Sequence, residues 1–304
     1  MKLNDVFIPY AGYATSPFCR WQGSLSSEHP LALGAEVARQ GLERSGIAVG
    51  DLDGLHLGTT VPSKHGFYGS PWVAKLLGAP ALTGPTVSQA CATSVRLLRG
   101  AAAEVETGGA KALLAVAADR TSNGPHLVYP APSAPGGTPE GENWVFDNFG
   151  RDPAVGCSML QTAENVAAEE GFSTAAQHDV TLLRHEQYQQ SLADGAAFQR
   201  RYMLVPLRLD RDRRRPLVVE GDEGIHPTTA EGLARLEPVM PGGTVTYGGQ
   251  THPADGAAAV VVANRETARR LSTAPLTIQI VAFGEARTRP GFMPEAAVPA
   301  ARDA

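Results

Sequence analysis

The sequence predicts a layered α/β protein, and three observations carry that reading. Strand-like and helix-like patterns alternate through the first half of the 304 residues, as in successive βαβ units. The run "KALLAVAAD" reads as a buried strand, and glycines lead into a second apolar strand at 257–263. Hydrophobic residues make up 43% and charged ones 19%, which suits a soluble globular chain whose abundant Ala and Gly let helices pack closely.

Taken in order, "DVFIPYAG" is extended and "LALGAEVARQGLERSG" places Leu33, Val37 and Leu42 near helical spacing. "DGLHLGTTV" is extended again, "SPWVAKLLGAP" is helical and "GPTVSQA" is a short strand. A helix follows over about 91–107, stopped by the glycines of "TGG", and it leads into "KALLAVAAD". From 121 to 153 the composition turns to Pro, Gly and Asn, the mark of a long excursion that serves binding or assembly rather than the core. Two helices come next, "MLQTAENVAAEEG" and "STAAQHDVTLLRHEQYQQSLADG", the second opening on Ser173 as N-cap and ending near Gly195. Irregular chain leads to the strand at 257–263, "LTIQIVAFGEA" alternates as a last strand, and no internal repeat is present.

Composition also excludes. A net charge of −5 gives no broad basic footprint for nucleic acid. The run "RLDRDRRRP" at 208–216 is a local exception, either a solvated loop or a docking site for an anion. No stretch reaches the eighteen apolar residues of a membrane helix, and "MKLNDVFIPYAG" lacks a signal-peptide core, so the expected compartment is the cytoplasm. The three cysteines, Cys19, Cys91 and Cys157, form no CxxC pair and no disulfide framework. The eight histidines show no ligand spacing, and no metal is expected.

Cys91 stands out in "VSQACATSVRLL", where a strand gives way to a helix. Free N–H groups at a helix start favour negative charge, and the thiolate is the nucleophilic form of cysteine. Small neighbours, Ala90, Ala92, Thr93 and Ser94, let a substrate or another backbone come close. Free cysteines are also among the most buried residues, and a packing role fits the local pattern equally well.

Several segments together resemble the thiolase family, the acyl-CoA C-acyltransferases. "QACATS" with its helix and "KALLAVAAD" looks like the family's nucleophile segment, and "MLQTAENVA" is similar to its TAENVA helix. "QHDVTLLRHEQYQQSLADGAAF" resembles the next helix, and "TTAEGLARLEP" a segment near the coenzyme A site. "GGTVTYGGQTHPADGAAAVVVAN" resembles the signature GTVTAGNASGxNDGAAAV. The matches keep the family's order.

The resemblance implies an α/β/α fold with a mixed five-stranded sheet, helices on both faces and an inserted loop domain. It divides the chain into a thiolase-like domain over 1–120 and 242–273, a loop domain over 121–241, and at 274–304 the start of an incomplete second domain. Cys91 becomes the acyl-accepting nucleophile, its N–H part of an oxyanion hole. Met159 would line the acyl pocket, and Thr251, with Gly248 and Gly249, would contact coenzyme A; the alternatives are a core methionine and a satisfied loop hydroxyl. Substrates would be acyl-CoA and CoA, with no further cofactor, in lipid metabolism.

Two departures matter. The family's NASG is "GQTH" here, and His252 either imitates a catalytic histidine or belongs to a turn in "HPADG" entering the strand. NEAF, GHPxG and CxGGG, which carry the family's asparagine, activating histidine and second cysteine, do not occur in the sequence. The expectation is a homo-oligomer, or a hetero-oligomer with a chain supplying the missing half and its histidine, since the face that packs on that half would otherwise be exposed. The alternative is a non-catalytic subunit that binds acyl-CoA. Cys19 and Cys157 have no activating neighbours in sequence and read as structural.

Overall fold

A mixed sheet organises the first of two compact units, Met1–Asn123 with Phe198–Gly224 and Pro253–Ala282. The structure is a computed structural model that describes residues 1–122, 124–210 and 216–304. Most of the arginine-rich run at 208–216 therefore lies outside the described residues.

The unit's strands are β1 (Phe7–Pro9), β2 (Tyr13–Thr15), β3 (Cys19–Arg20), β4 (Gly54–Gly58), β5 (Thr86–Val87), β6 (Ala112–Asp119), β7 (Leu207–Leu209), β8 (Leu217–Val219), β9 (Ala254–Ala263) and β10 (Thr277–Gln279). Its main helices are α1 (Pro30–Ser45), α2 (Ser70–Leu76) and α3 (Thr93–Glu106). The sheet runs β10-β1-β9-β6-β4-β5, with β2 and β3 also paired to β9. Strands β4, β5 and β6 are parallel to one another, whereas β9 is antiparallel to β6 from Gly256–Asp119 to Ala263–Ala112.

Among the described residues the sheet has eight strand segments rather than the five expected. The first extended stretch, 5–12, holds β1 alone; β2 and β3 follow it, all three are antiparallel to β9, and β10 pairs on the far side of β1. Gly12 falls in one break, where its N–H donates to Pro9 O at 2.9 Å and turns the chain between the first two segments.

Alternation along β4 separates the two faces. Leu55 and Leu57 join Leu31, Ala35, Ala38 and Leu42 of α1 in one buried cluster, with Leu114 and Val116 of β6. Gly58 and His56 point the other way: a Cβ on Gly58 would meet Leu97 of α3 at 3.2 Å, and His56 Nε2 bonds Glu104 Oε2 of α3 at 3.0 Å. Helices thus cover both faces. Each fully buried leucine contributes on the order of 2 kcal/mol.

Close approach requires small residues. A Cβ on Gly34 of α1 would stand 2.9 Å from Ala118 Cβ, and one on Gly41 would stand 2.6 Å from Ala14 Cβ. Helix α1 starts where His29 Nδ1 accepts the Leu31 N–H at 3.2 Å, with Pro30 preset for a first turn. It stops at Gly46, whose φ of 69° is the left-handed cap.

The segment 198–224 belongs to this unit and is not the irregular chain expected. Strands β7 and β8 pair antiparallel, and Leu207, Leu209 and Val219 are buried with Cys19, Leu25, Leu33 and Val37. The charged run between the two strands masks their short apolar alternation in the sequence.

The second unit is Gly124–Ala197 with Ile225–His252 and Phe283–Ala304. The excursion carries a hairpin of its own, His126–Tyr129 against Glu140–Asn143. Two helices dominate the rest, α4 (Met159–Glu170) and α5 (Thr174–Ser191). Ser173 caps α5 as expected, its hydroxyl accepting the Ala176 N–H at 3.2 Å. Among the described residues no helix is long and apolar enough to cross a membrane.

Candidate active site

The residues singled out in the sequence fall into two groups, Cys91 in the first unit and Met159, Gly248, Gly249 and Thr251 in the second. Each group is built by its own unit.

Cys91 lies in a single 3-10 turn, Ala90–Ala92, between β5 and α3, just ahead of the α-helix expected to contain it. It is exposed. Ala90 has a φ of 44°, a left-handed conformation that residues with a Cβ avoid. Thr93 offsets that strain: its hydroxyl donates to Ala90 O at 2.7 Å and accepts the Gln89 N–H at 2.8 Å. Thr60, just beyond β4, sets its hydroxyl 3.1 Å from both Ala90 O and Thr93 Oγ1.

Asp119, the last residue of β6, holds Thr60 in place. Its carboxylate accepts the N–H groups of Thr60 and Val61, each at 2.8 Å, and the Thr59 hydroxyl at 3.1 Å. Burial pushes this carboxyl above the usual carboxylate range, while the bonds from Val61, Thr60 and Thr59 draw it down. The Cys91 turn thus sits at the C-terminal ends of the parallel strands.

Cys19 is the opposite kind of cysteine. It is buried beside Glu223 and Asp255, and burial first, then the charge of Glu223, pushes its thiol up to about 12. Cys157, in the second unit, is half-buried.

In the second unit the glycine-rich loop is clamped from two helices. Glu164 of α4 accepts the Thr244 N–H at 2.9 Å, the Thr244 hydroxyl at 3.0 Å and the Val245 N–H at 2.8 Å. Gly243 makes room, since a Cβ there would lie 2.3 Å from Glu164 Oε1. From α5, Thr174 donates to Thr244 O at 2.8 Å and the Gln177 amide to Thr244 Oγ1 at 3.0 Å. Buried His178 sets Nε2 2.9 Å from Thr246 Oγ1.

The clamped loop and α5 enclose a groove of about 780 Å³. Gly248, Gly249 and Thr251 line one side, and Phe172, Val180 and Arg184 the other. A Cβ on Gly248 would stand 2.5 Å from the Leu233 side chain, which would have to shift. The walls are mainly apolar with one guanidinium, which suits a flexible chain that ends in negative charge. Met159 is not among the groove-lining residues; it opens α4, where its carbonyl accepts the Thr162 hydroxyl at 2.7 Å. His252 is exposed and its ring stands edge-on to His226 at 6.3 Å. The turn expected after it is absent, because β9 already starts at Ala254 and Asp255 is buried, accepting the Ser122 N–H at 2.8 Å. Among the described residues no cluster of three or more His, Cys, Asp or Glu could hold a metal ion.

Asp119, Thr60, Glu164 and His178 are absent from the sequence reading. Their partners lie 30 to 81 positions away, and no local spacing marks them.

A layered α/β/α fold that sets a cysteine turn at the strand ends, in a chain whose second unit carries a clamped glycine loop, defines the class. The model of the thiolase N-terminal domain matches residues 11–266, and the chain belongs to the thiolase family. The acetyl-CoA acetyltransferase of Thiocystis violacea is 27% identical over 286 residues, covering 92% of this chain and 71% of that protein. Among solved structures, the Bacillus anthracis acetyl-CoA acetyltransferase superposes with a TM-score of 0.86 at 24% identity, over 99% of this chain and 75% of that one. Human mitochondrial 3-ketoacyl-CoA thiolase, solved in complex with CoA, gives 0.86 at 22% identity, over 100% of this chain and 76% of that one.

Proposed function

We propose that this chain is an acyl-CoA acyltransferase of the thiolase type, forming or cleaving 3-oxoacyl-CoA through an acyl group carried on Cys91. The observation that carries the reading is an exposed cysteine on a tightly bonded turn at the head of α3, in a chain of this family. The Cys91 thiolate attacks the thioester carbonyl, the carbon–sulfur bond to CoA breaks, and CoA leaves as a thiolate that takes up a proton. Backbone N–H groups at the turn stabilise the oxyanion in between. In condensation the carbanion of a second acyl-CoA then attacks the acyl-cysteine; thiolysis is the reverse.

Thr251, Gly248 and Gly249 contact the pantetheine arm in this reading, with Arg184 placed to meet phosphate. Met159 borders the acyl group. The substrates are CoA thioesters and no other cofactor takes part. In this proposal a second polypeptide supplies the histidine that activates Cys91 and the second cysteine. The working form is a homo- or hetero-oligomer in the cytoplasm.

Intact and peptide mass spectrometry after exposure to acetyl-CoA, with and without co-purifying protein, tests this. One acetyl group on the Cys91 peptide, absent in Cys91→Ala, is the expected result. Binding of CoA without any adduct on Cys91, partner present, rejects catalysis in favour of a non-catalytic acyl-CoA-binding subunit.

A further inference from the structure

The turn bearing Cys91 has a conformation that its own residues do not favour. Ala90, at φ 44°, has a Cβ where glycine would adopt the same angle freely. The local bonds from Thr93 close the turn on itself but do not tie it to the rest of the fold. Thr60 makes that tie. Its hydroxyl reaches across from the end of β4 to Ala90 O and Thr93 Oγ1, at 3.1 Å each, while its own N–H is fixed by Asp119. Thr60 is half-buried, and the bonds of its hydroxyl and N–H account for its place.

We propose that Thr60, anchored by Asp119, is a positioning residue that holds the Cys91 turn in one orientation toward an incoming thioester; this rests on the reading of Cys91 as the nucleophile. Thr60 does not touch the reacting atoms. It acts through the Ala90 carbonyl and the Thr93 hydroxyl, which fix where the thiol and the following N–H groups point. A turn released from Thr60 samples other φ values at Ala90, and the fraction aligned for attack falls.

The test compares full-length Thr60→Val and Thr60→Ser with the unaltered protein, in the same complex used to detect acyl-Cys91. Two readouts are taken: amide hydrogen exchange over 89–93, and the rate of Cys91 acylation across a range of acetyl-CoA concentrations. Thr60→Val is expected to speed exchange in that segment alone about tenfold. It is also expected to lower the maximal acylation rate about tenfold, with the half-saturating concentration unchanged. Thr60→Ser, which keeps the hydroxyl, is expected to stay within about twofold of the unaltered protein in both. Exchange and acylation unchanged in Thr60→Val overturn the proposal, as does an equal loss in Thr60→Ser. If the unaltered protein forms no acyl-Cys91, the nucleophile reading fails instead, and the exchange data still decide whether Thr60 holds the turn.

Discussion

The carboxylate of Glu164 accepts the backbone N–H of Val245 at 2.8 Å, tying α4 to the loop that becomes the groove wall. The same group takes the Thr244 N–H and hydroxyl. Glu164→Ala strands a buried N–H and is expected to cost roughly 2–4 kcal/mol in urea unfolding. It should also weaken CoA binding measured by calorimetry. Glu164→Gln keeps an acceptor and should lose about half as much. A Glu164→Ala protein of unaltered stability would show that the helices hold the loop without this carboxylate.

Gly34 sets the distance between α1 and the sheet. Both atoms that an added Cβ would strike, Ala118 Cβ at 2.9 Å and Val116 Cγ1 at 3.1 Å, belong to β6. Gly34→Val forces the helix outward and is expected to cost about 3 kcal/mol, read as a lowered melting temperature. Ala in place of Val should cost less. If both variants melt with the unaltered protein, the packing of α1 is looser than these distances require.

Asp119 gives a pH dependence of defined sign. Burial raises its folded pKa above the unfolded value, so folding favours the protonated form. The stability this contributes is complete below the unfolded pKa, about 3.9, and is lost as pH rises through the higher folded value. Asp119→Asn removes the titration but leaves an amide oxygen for Thr59, Thr60 and Val61. The variant should therefore gain stability relative to the unaltered protein as pH rises from about 4, then level off. A difference independent of pH between 4 and 8 would contradict the assignment.

The cysteines should separate sharply under alkylation. Cys91 is exposed, whereas Cys19 is buried with its thiol pushed up to about 12. Iodoacetamide at mildly alkaline pH is expected to label Cys91 in the folded protein and Cys19 only after denaturation. Peptide mapping reads both at once; early labelling of Cys19 would mean that β3 opens readily.

The order of α1, β4, α3 and β6 was legible because periodicity and end signals such as Gly46 are local. Cys91 was legible because its short motif marks a strand-to-helix junction. What holds Cys91 was not. Asp119 reads as the polar end of an apolar run, and Thr60 as one more residue of the extended stretch "DGLHLGTTV"; only the parallel pairing of β4 with β6 brings them together. The β7–β8 hairpin was missed for a related reason, since three-residue strands flanking a charged run carry no period long enough to recognise. The groove was half legible. Glycines at 248 and 249 mark a close approach, but the helical face opposite them is set by bonds from Thr174, Gln177 and His178 that skip some 70 positions.

The parallel pairing of β4 with β6 sets Gly54–Gly58 beside residues 113–117, and these mostly apolar and small side chains alone set its register weakly. A slip of two residues would keep the same faces inward while carrying Asp119 about 7 Å along the sheet. There its carboxylate would be buried without the N–H groups of Thr60 and Val61, a heavy penalty on the mispaired chain. The carboxylate is thus a register lock as well as an anchor. A molecule whose central strands have slipped cannot also form the Cys91 turn, so correct strand alignment becomes a precondition for displaying the thiol.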